Sequence, residues 1–186
     1  FVILLSFIFS MHMIAQDNKE KSVIENALDG FKFRSIGPAF MSGRIADIAI
    51  DYNNENVWYV AVGSGGLWKT TNSGTTWTPL TDKESFYSTG CVTVDPHNNE
   101  KIWLGTGENV GGRHVGIGHG LFVSKDGGKT WKNSGLKKSE HISKIVVHPQ
   151  DPNIIWVAVQ GPLWSPDGER GLYKTIDGGK TWKNTL

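Results

Sequence analysis

Three copies of one eight-residue motif, a repeat period near 50 residues, and a composition rich in glycine and tryptophan predict an all-β chain. The architecture they specify is a β-propeller of four-stranded blades, about three of which fit in the 186 residues. The motif runs Ser124-Lys-Asp126-Gly-Gly-Lys-Thr-Trp131 and recurs as Thr175-Ile-Asp177-Gly-Gly-Lys-Thr-Trp182. A third copy, Thr70-Thr-Asn72-Ser-Gly-Thr-Thr-Trp77, carries asparagine in place of the aspartate. Twenty-three glycines and eight tryptophans at 38% hydrophobic content suit many short strands joined by tight turns.

Each repeat reads as the same series of elements. A first strand is β-branched and apolar, at residues 44–50, 90–94 and 142–147. A turn-rich run follows, and then a second strand around Trp58, Trp103 or Trp156. A third strand opens on Gly-Leu-aromatic at Gly66, Gly120 and Gly171, and the motif turns it into a fourth. The blades are expected near 31–80, 81–136 and 137–186. The interval from second-strand Trp to motif Trp is 19 residues in the first repeat, then 28 and 26. The added length falls between the second and third strands, on the end of the blade away from the motif turns. Function is expected among those loops.

The motif has a mechanical reading. Asp126, Asp177 and Asn72 accept hydrogen bonds from backbone N–H groups further along the turn. Glycine beside them supplies positive φ. Trp77, Trp131 and Trp182 are then placed to bury their rings between adjacent sheets. These six residues are structural, and Asn72 keeps the acceptor oxygen but not the charge.

The rest of the composition narrows the class of partner. Nineteen basic against 18 acidic side chains give a net charge of +1, so no basic stripe is available for nucleic acid. Residues 1–15 are almost wholly apolar, too short for a membrane span, and fit either a secretory signal or an uncleaved anchor. The signal is the expected reading, with a polar linker at 16–30 and no span in the mature chain. Secretion, or a periplasmic or cell-surface address in a bacterium, follows from it. Cys91 stands alone in an apolar strand and is expected to be buried and inert. The chain opens on Phe1 and stops directly after a motif, so a fragment of a longer ring is expected.

Candidate chemistry sits in the two long loops and ahead of the first strand. The second-repeat loop carries Glu108, Arg113, His114 and His119 among glycines, without the spacing of a phosphate cradle. The two histidines lack a third ligand at a recognisable spacing, so no metal and no cofactor are assigned. The third-repeat loop holds Trp164, Asp167, Glu169 and Arg170, which reads as a ligand platform or as a Pro-Asp-Gly turn over a packed aromatic. Arg44, Arg113, His114, Trp164 and Arg170 are the candidate ligand-binding residues, and Glu108, Asp167 and Glu169 the candidate catalytic carboxylates.

The order F-R-S-I-G-P, S-G-R-I, G-x-G-G-L-W-K, G-T-G-E-N and S-K-D-G-G-K-T-W resembles exported bacterial Asp-box (BNR) repeat proteins of the sortilin-N-terminal-domain type. That group is akin to sialidase-like and xyloglucanase-like propellers. The resemblance implies an intact ring of six to ten blades that meets an extracellular glycan or a peptide or protein. It alone implies glycosyl hydrolase activity as the alternative to recognition without turnover. Xyloglucanases of this architecture carry a catalytic Asp in a first-blade T-D-I-G-G-A-Y-R segment. The matching stretch here is V-G-S-G-G-L-W-K, with Gly63 at the aspartate's position. Glycine cannot serve as an acid or a base.

Overall fold

The computed structural model describes residues 43–112 and 114–186. The expected signal at 1–15, the linker at 16–30 and Arg113 lie outside the described residues. Twelve strands follow one another without a helix among the described residues. They are β1 (Ile45–Asp51), β2 (Asn54–Val62), β3 (Gly66–Thr70) and β4 (Thr78–Pro79), then β5 (Thr89–Asp95), β6 (Asn98–Thr106), β7 (Leu121–Ser124) and β8 (Lys132–Asn133). The series closes with β9 (Ile142–Val147), β10 (Ile155–Val159), β11 (Gly171–Thr175) and β12 (Lys183–Asn184). Each group of four pairs in chain order as an antiparallel meander, giving three separate four-stranded sheets. That is the blade pattern of a propeller, with β1, β5 and β9 as neighbouring innermost strands.

Strand alternation explains how the sheets stack. Val92 and Val94 of β5, Ile102 and Leu104 of β6, and Phe122 of β7 pack with Tyr59, Ala61 and Leu67 of the first sheet. The residues between them, Cys91, Trp103, Leu121 and Val123, pack with Ile142, Ile145, Val147, Ile155, Val157 and Val159 of the third sheet. The middle sheet is therefore apolar on both faces, which is why its strands read as continuous hydrophobic runs. Trp103 is the largest side chain sealed there, with no solvent exposure. Burial also pushes the Cys91 thiol up to about 12, so the lone cysteine is held as an inert apolar filler.

The motif turns form as the spacing requires. Asp126 accepts Thr130 N at 2.9 Å, the Thr130 hydroxyl at 2.6 Å and the Ser124 hydroxyl at 2.7 Å, and Ser124 Oγ in turn accepts Gly128 N at 2.8 Å. Asp177 repeats the pattern with Thr181 and Thr175. These donors hold Asp126 down at about 2 and lower Asp177 as well. At the first turn Asn72 Oδ1 accepts Thr76 N at 2.9 Å and the Thr70 hydroxyl at 2.9 Å, while its amide donates to Thr76 Oγ1 at 2.9 Å. Asparagine thus keeps the whole set by reversing the role of one threonine hydroxyl. It also sits beside Ser73 at φ 53, where the other two turns use Gly127 and Gly178.

Two of the motif tryptophans, Trp131 and Trp182, pack backwards onto the preceding sheet. Trp182 donates its indole N–H to Ser134 O at 2.7 Å, and Trp131 joins the cluster shared with the first sheet. Both are half-buried. Trp77 is 39% exposed, because no described sheet lies on that side of the first one. Among the described residues Trp131 and Trp182 are thus half-buried between sheets, and the fully enclosed tryptophan is the second-strand Trp103.

The candidate site on the loop-bearing face

Inter-sheet hydrogen bonds fix which loops share a face. Thr93 donates to Ile145 O at 2.9 Å and His97 meets His148 O at 2.9 Å, so β5 and β9 run side by side in one direction. Within each sheet the motif turn bonds to the start of the second strand or the turn leading into it, Gly127 N to Glu100 O of β6 at 2.8 Å and Gly178 N to Asn153 O at 3.0 Å. The loops at 63–65, 107–120 and 160–170 lie at the other ends of the strands. Structural turns and candidate residues are on opposite rims.

The best-built group on the loop-bearing rim joins the first two sheets. Gly63 N donates to Arg44 O at 2.7 Å, which brings the entrance to β1 beside the β2–β3 loop. Gly107 N donates to Ser88 O at 2.9 Å and aims Glu108 back towards the first sheet. The Glu108 carboxylate forms an ion pair with Arg44. Its Oε1 accepts the Ser64 hydroxyl at 2.6 Å and Gly116 N at 3.2 Å. The glutamate side chain is 2% exposed and the arginine 61%. Oε2 has no hydrogen-bond partner and is buried beside the guanidinium, whose own side chain faces solvent.

Gly63 explains where that carboxylate fits. A side chain at position 63 would place its Cβ 3.2 Å from Glu108 Cγ and Cδ, tighter than ordinary contact. The backbone there lies outside the positive-φ region, so close approach rather than conformation is what requires glycine. Glu108, reaching over from the second sheet, fills the room that an aspartate at 63 would take. Its backbone carbonyl accepts His141 Nδ1 at 2.9 Å, tying the third sheet into the same group. Burial lowers the His141 pKa, keeping the ring neutral as a donor.

Four glycines of the 107–120 loop, at 107, 116, 118 and 120, serve close packing, whereas Gly111 and Gly112 face open space. Gly118 N donates to Glu140 O at 2.7 Å, and a Cβ at Gly107 or Gly118 would collide with backbone of the loop or of Glu140. His114 and His119 are exposed, and among the described residues no three His, Cys, Asp or Glu side chains converge to hold a metal.

The third loop distributes its candidates differently. Arg170 is exposed and folds back on its own loop: Nη1 donates to Gln160 O at 2.7 Å, and Nη2 donates to Pro162 O and to Ser165 O, the latter at 3.2 Å. Glu169 Oε2 accepts Lys138 N at 2.8 Å, pinning the loop to the preceding connection. Asp167 is exposed in a local turn with Ser165. Trp164 stands 80% exposed. The structure therefore brings Arg44 and Glu108 together and places Trp164, Asp167, Glu169 and Arg170 on a separate loop. Ser64, Ser88, Gly116 and His141 complete the first group without any motif of their own to announce them.

Sheets of four antiparallel strands stacked around adjacent innermost strands define a β-propeller domain. A family model described as sortilin, neurotensin receptor 3 (Sortilin-Vps10) matches residues 65–186, and the chain belongs to that family. A probable oligoxyloglucan-reducing end-specific xyloglucanase of Neosartorya fischeri is 24% identical over 173 residues, 83% of this chain and 19% of that protein. The chain thus spans about a fifth of that relative's length. Among solved structures, a GH74 enzyme of Niastella koreensis superposes with TM-score 0.57 at 23% identity, covering 77% of this chain and 21% of that one. YCF48 bound to D1 peptide superposes with TM-score 0.53 at 17% identity, covering 77% and 41%. At these identities the two structures show the shared fold. No helix among the described residues is long and apolar enough to cross a membrane.

Proposed function

We propose that this chain is part of an exported propeller that recognises an extracellular glycan or peptide on its loop-bearing rim, without turnover by the residues of this segment. The state of Glu108 carries the reading. The carboxylate at the mouth of the first sheet is buried and engaged by Arg44, Ser64 and Gly116 N. A general acid or base needs an oxygen within reach of the proton it transfers; Glu108 Oε1 already accepts two donors, and Oε2, which has no hydrogen-bond partner, is buried beside the Arg44 guanidinium. Glu169 has one of its two oxygens, Oε2, committed to a backbone N–H. Arg44 and Trp164, by contrast, face solvent on the same rim. A propeller related in fold has been solved with a peptide.

The xyloglucanase relative favours a second reading, hydrolysis of an extracellular polysaccharide. It needs two carboxylates about 5–10 Å apart across a cleft, and Asp167 is then the most exposed of the three candidate carboxylates of this segment. One experiment separates the two. The full chain is tested for reducing-sugar release on xyloglucan beside a glycan and peptide binding array. Binding without turnover supports recognition. Turnover abolished by Asp167→Asn or Glu108→Gln, in protein that still binds, establishes hydrolysis.

A further inference from the structure

We infer that Arg170 is a positioning residue that braces the loop carrying Trp164 as a stacking platform for the pyranose rings of a glycan. This rests on the recognition reading above and names its ligand class. Trp164 is 80% exposed, among the most exposed large apolar side chains described, in a loop braced from within rather than left to move. The Arg170 guanidinium is spent on the main-chain carbonyls of Gln160, Pro162 and Ser165, which straddle the tryptophan in sequence. The planar fork of arginine suits several fixed acceptors at once, which a lysine cannot match. Glu169 anchors the loop's far end to Lys138 N at 2.8 Å. A fixed indole loses little conformational freedom on binding, and that loss is one of the main costs of association.

The surroundings select the ligand. Peptide anchors are side chains received in enclosed, desolvated pockets. Trp164 stands proud instead, with the polar Ser165 and Asp167 beside it. A flat ring with a hydroxylic rim suits a pyranose, whose faces are C–H and whose edge is O–H. Tyr87, 66% exposed on the connection between the first two sheets with its hydroxyl fixed to Ser64 O, offers a second braced ring on the same rim. Two platforms on different blades suit an extended chain rather than a single sugar.

The test is titration of the full chain with cellohexaose, followed by the indole N–H resonances of its eight tryptophans, with Trp164 assigned through Trp164→Phe. The Trp164 signal is expected to shift on binding. Trp164→Ala should weaken binding by about tenfold, the effect of losing one anchoring ring. Arg170→Ala should weaken it comparably at unchanged Tm, and the double variant should be no weaker than Trp164→Ala alone. That non-additivity is the signature of a residue acting through another. Additive losses would make Arg170 a direct ligand contact or a general stabiliser and overturn the assignment. So would full affinity in Trp164→Ala. Capture of a peptide on this rim with no response to cellohexaose overturns the glycan platform and leaves the recognition reading standing. If neither class binds, both fall.

Discussion

Replacing Glu108 tests the site most searchingly, because its partners come from three stretches of chain. Glu108→Ala removes two hydrogen bonds to a charged acceptor, from Ser64 Oγ at 2.6 Å and Gly116 N at 3.2 Å. Such bonds contribute about 1.5–3 kcal/mol each, while the ion pair to an arginine 61% exposed adds no more than about 1 kcal/mol. Alanine also relieves the cost of keeping a carboxylate buried, so the net loss comes to about 3 kcal/mol. In a chain of this size that lowers Tm by roughly 6–12 °C. Glu108→Gln keeps Oε1 as an acceptor and should lose about 1–2 kcal/mol. Gly63→Ala supplies the sharper arm. Its Cβ would stand 3.2 Å from the Glu108 carboxyl carbon, a crowding that costs about 1 kcal/mol or more. In the Glu108→Ala background the same substitution enters vacated space, and its cost should vanish. Differential scanning fluorimetry and denaturant melts of the four proteins read this out. An equal Gly63→Ala penalty in both backgrounds, or a Glu108→Ala protein as stable as the parent, would refute the steric and electrostatic reasoning together.

Other outcomes follow from the packing and the turns. Trp103→Ala should cost about 3–5 kcal/mol in urea unfolding, whereas Trp77→Ala, lacking a covering sheet among the described residues, should cost well under half of that. Asp126 is held at about 2, below the usual carboxylate value of about 4, so its contribution is complete above that range and drains away as pH falls towards 2. Asp126→Asn should flatten part of the acid-unfolding curve between those values and, on the precedent of Asn72, keep the turn; Asp126→Ala should lower Tm further. Cys91, with its thiol pushed up to about 12 and no exposed surface, should react with a thiol reagent at neutral pH only at the rate of unfolding. A fast burst of labelling in native protein would contradict that.

The fold was legible because its signals are local. Repeated turn chemistry at Asn72, Asp126 and Asp177 and the alternation within β5, β6 and β7 specify strands, faces and the order of the sheets without reference to distant residues. The candidate site was legible only in part. Arg44 and Glu108 stood out as charges in glycine-rich stretches, but their pairing depends on how two sheets stack, 64 positions apart in sequence. Gly63 marked a missing carboxylate, and nothing local could reveal that a neighbouring sheet returns one to the same place. Arg170 resembled a ligand contact because its acceptors are main-chain carbonyls, which leave no trace in side-chain patterns.

Hydrogen exchange of the full chain, alone and saturated with whichever glycan or peptide the array captures, addresses the division of labour between the two rims. Ligand should protect backbone amides at 63–65, 107–120 and 160–170 and leave the turns at 72–77, 126–131 and 177–182 unchanged. Protection centred on the motif turns, with the long loops unaffected, would contradict the assignment of recognition to the loop-bearing rim.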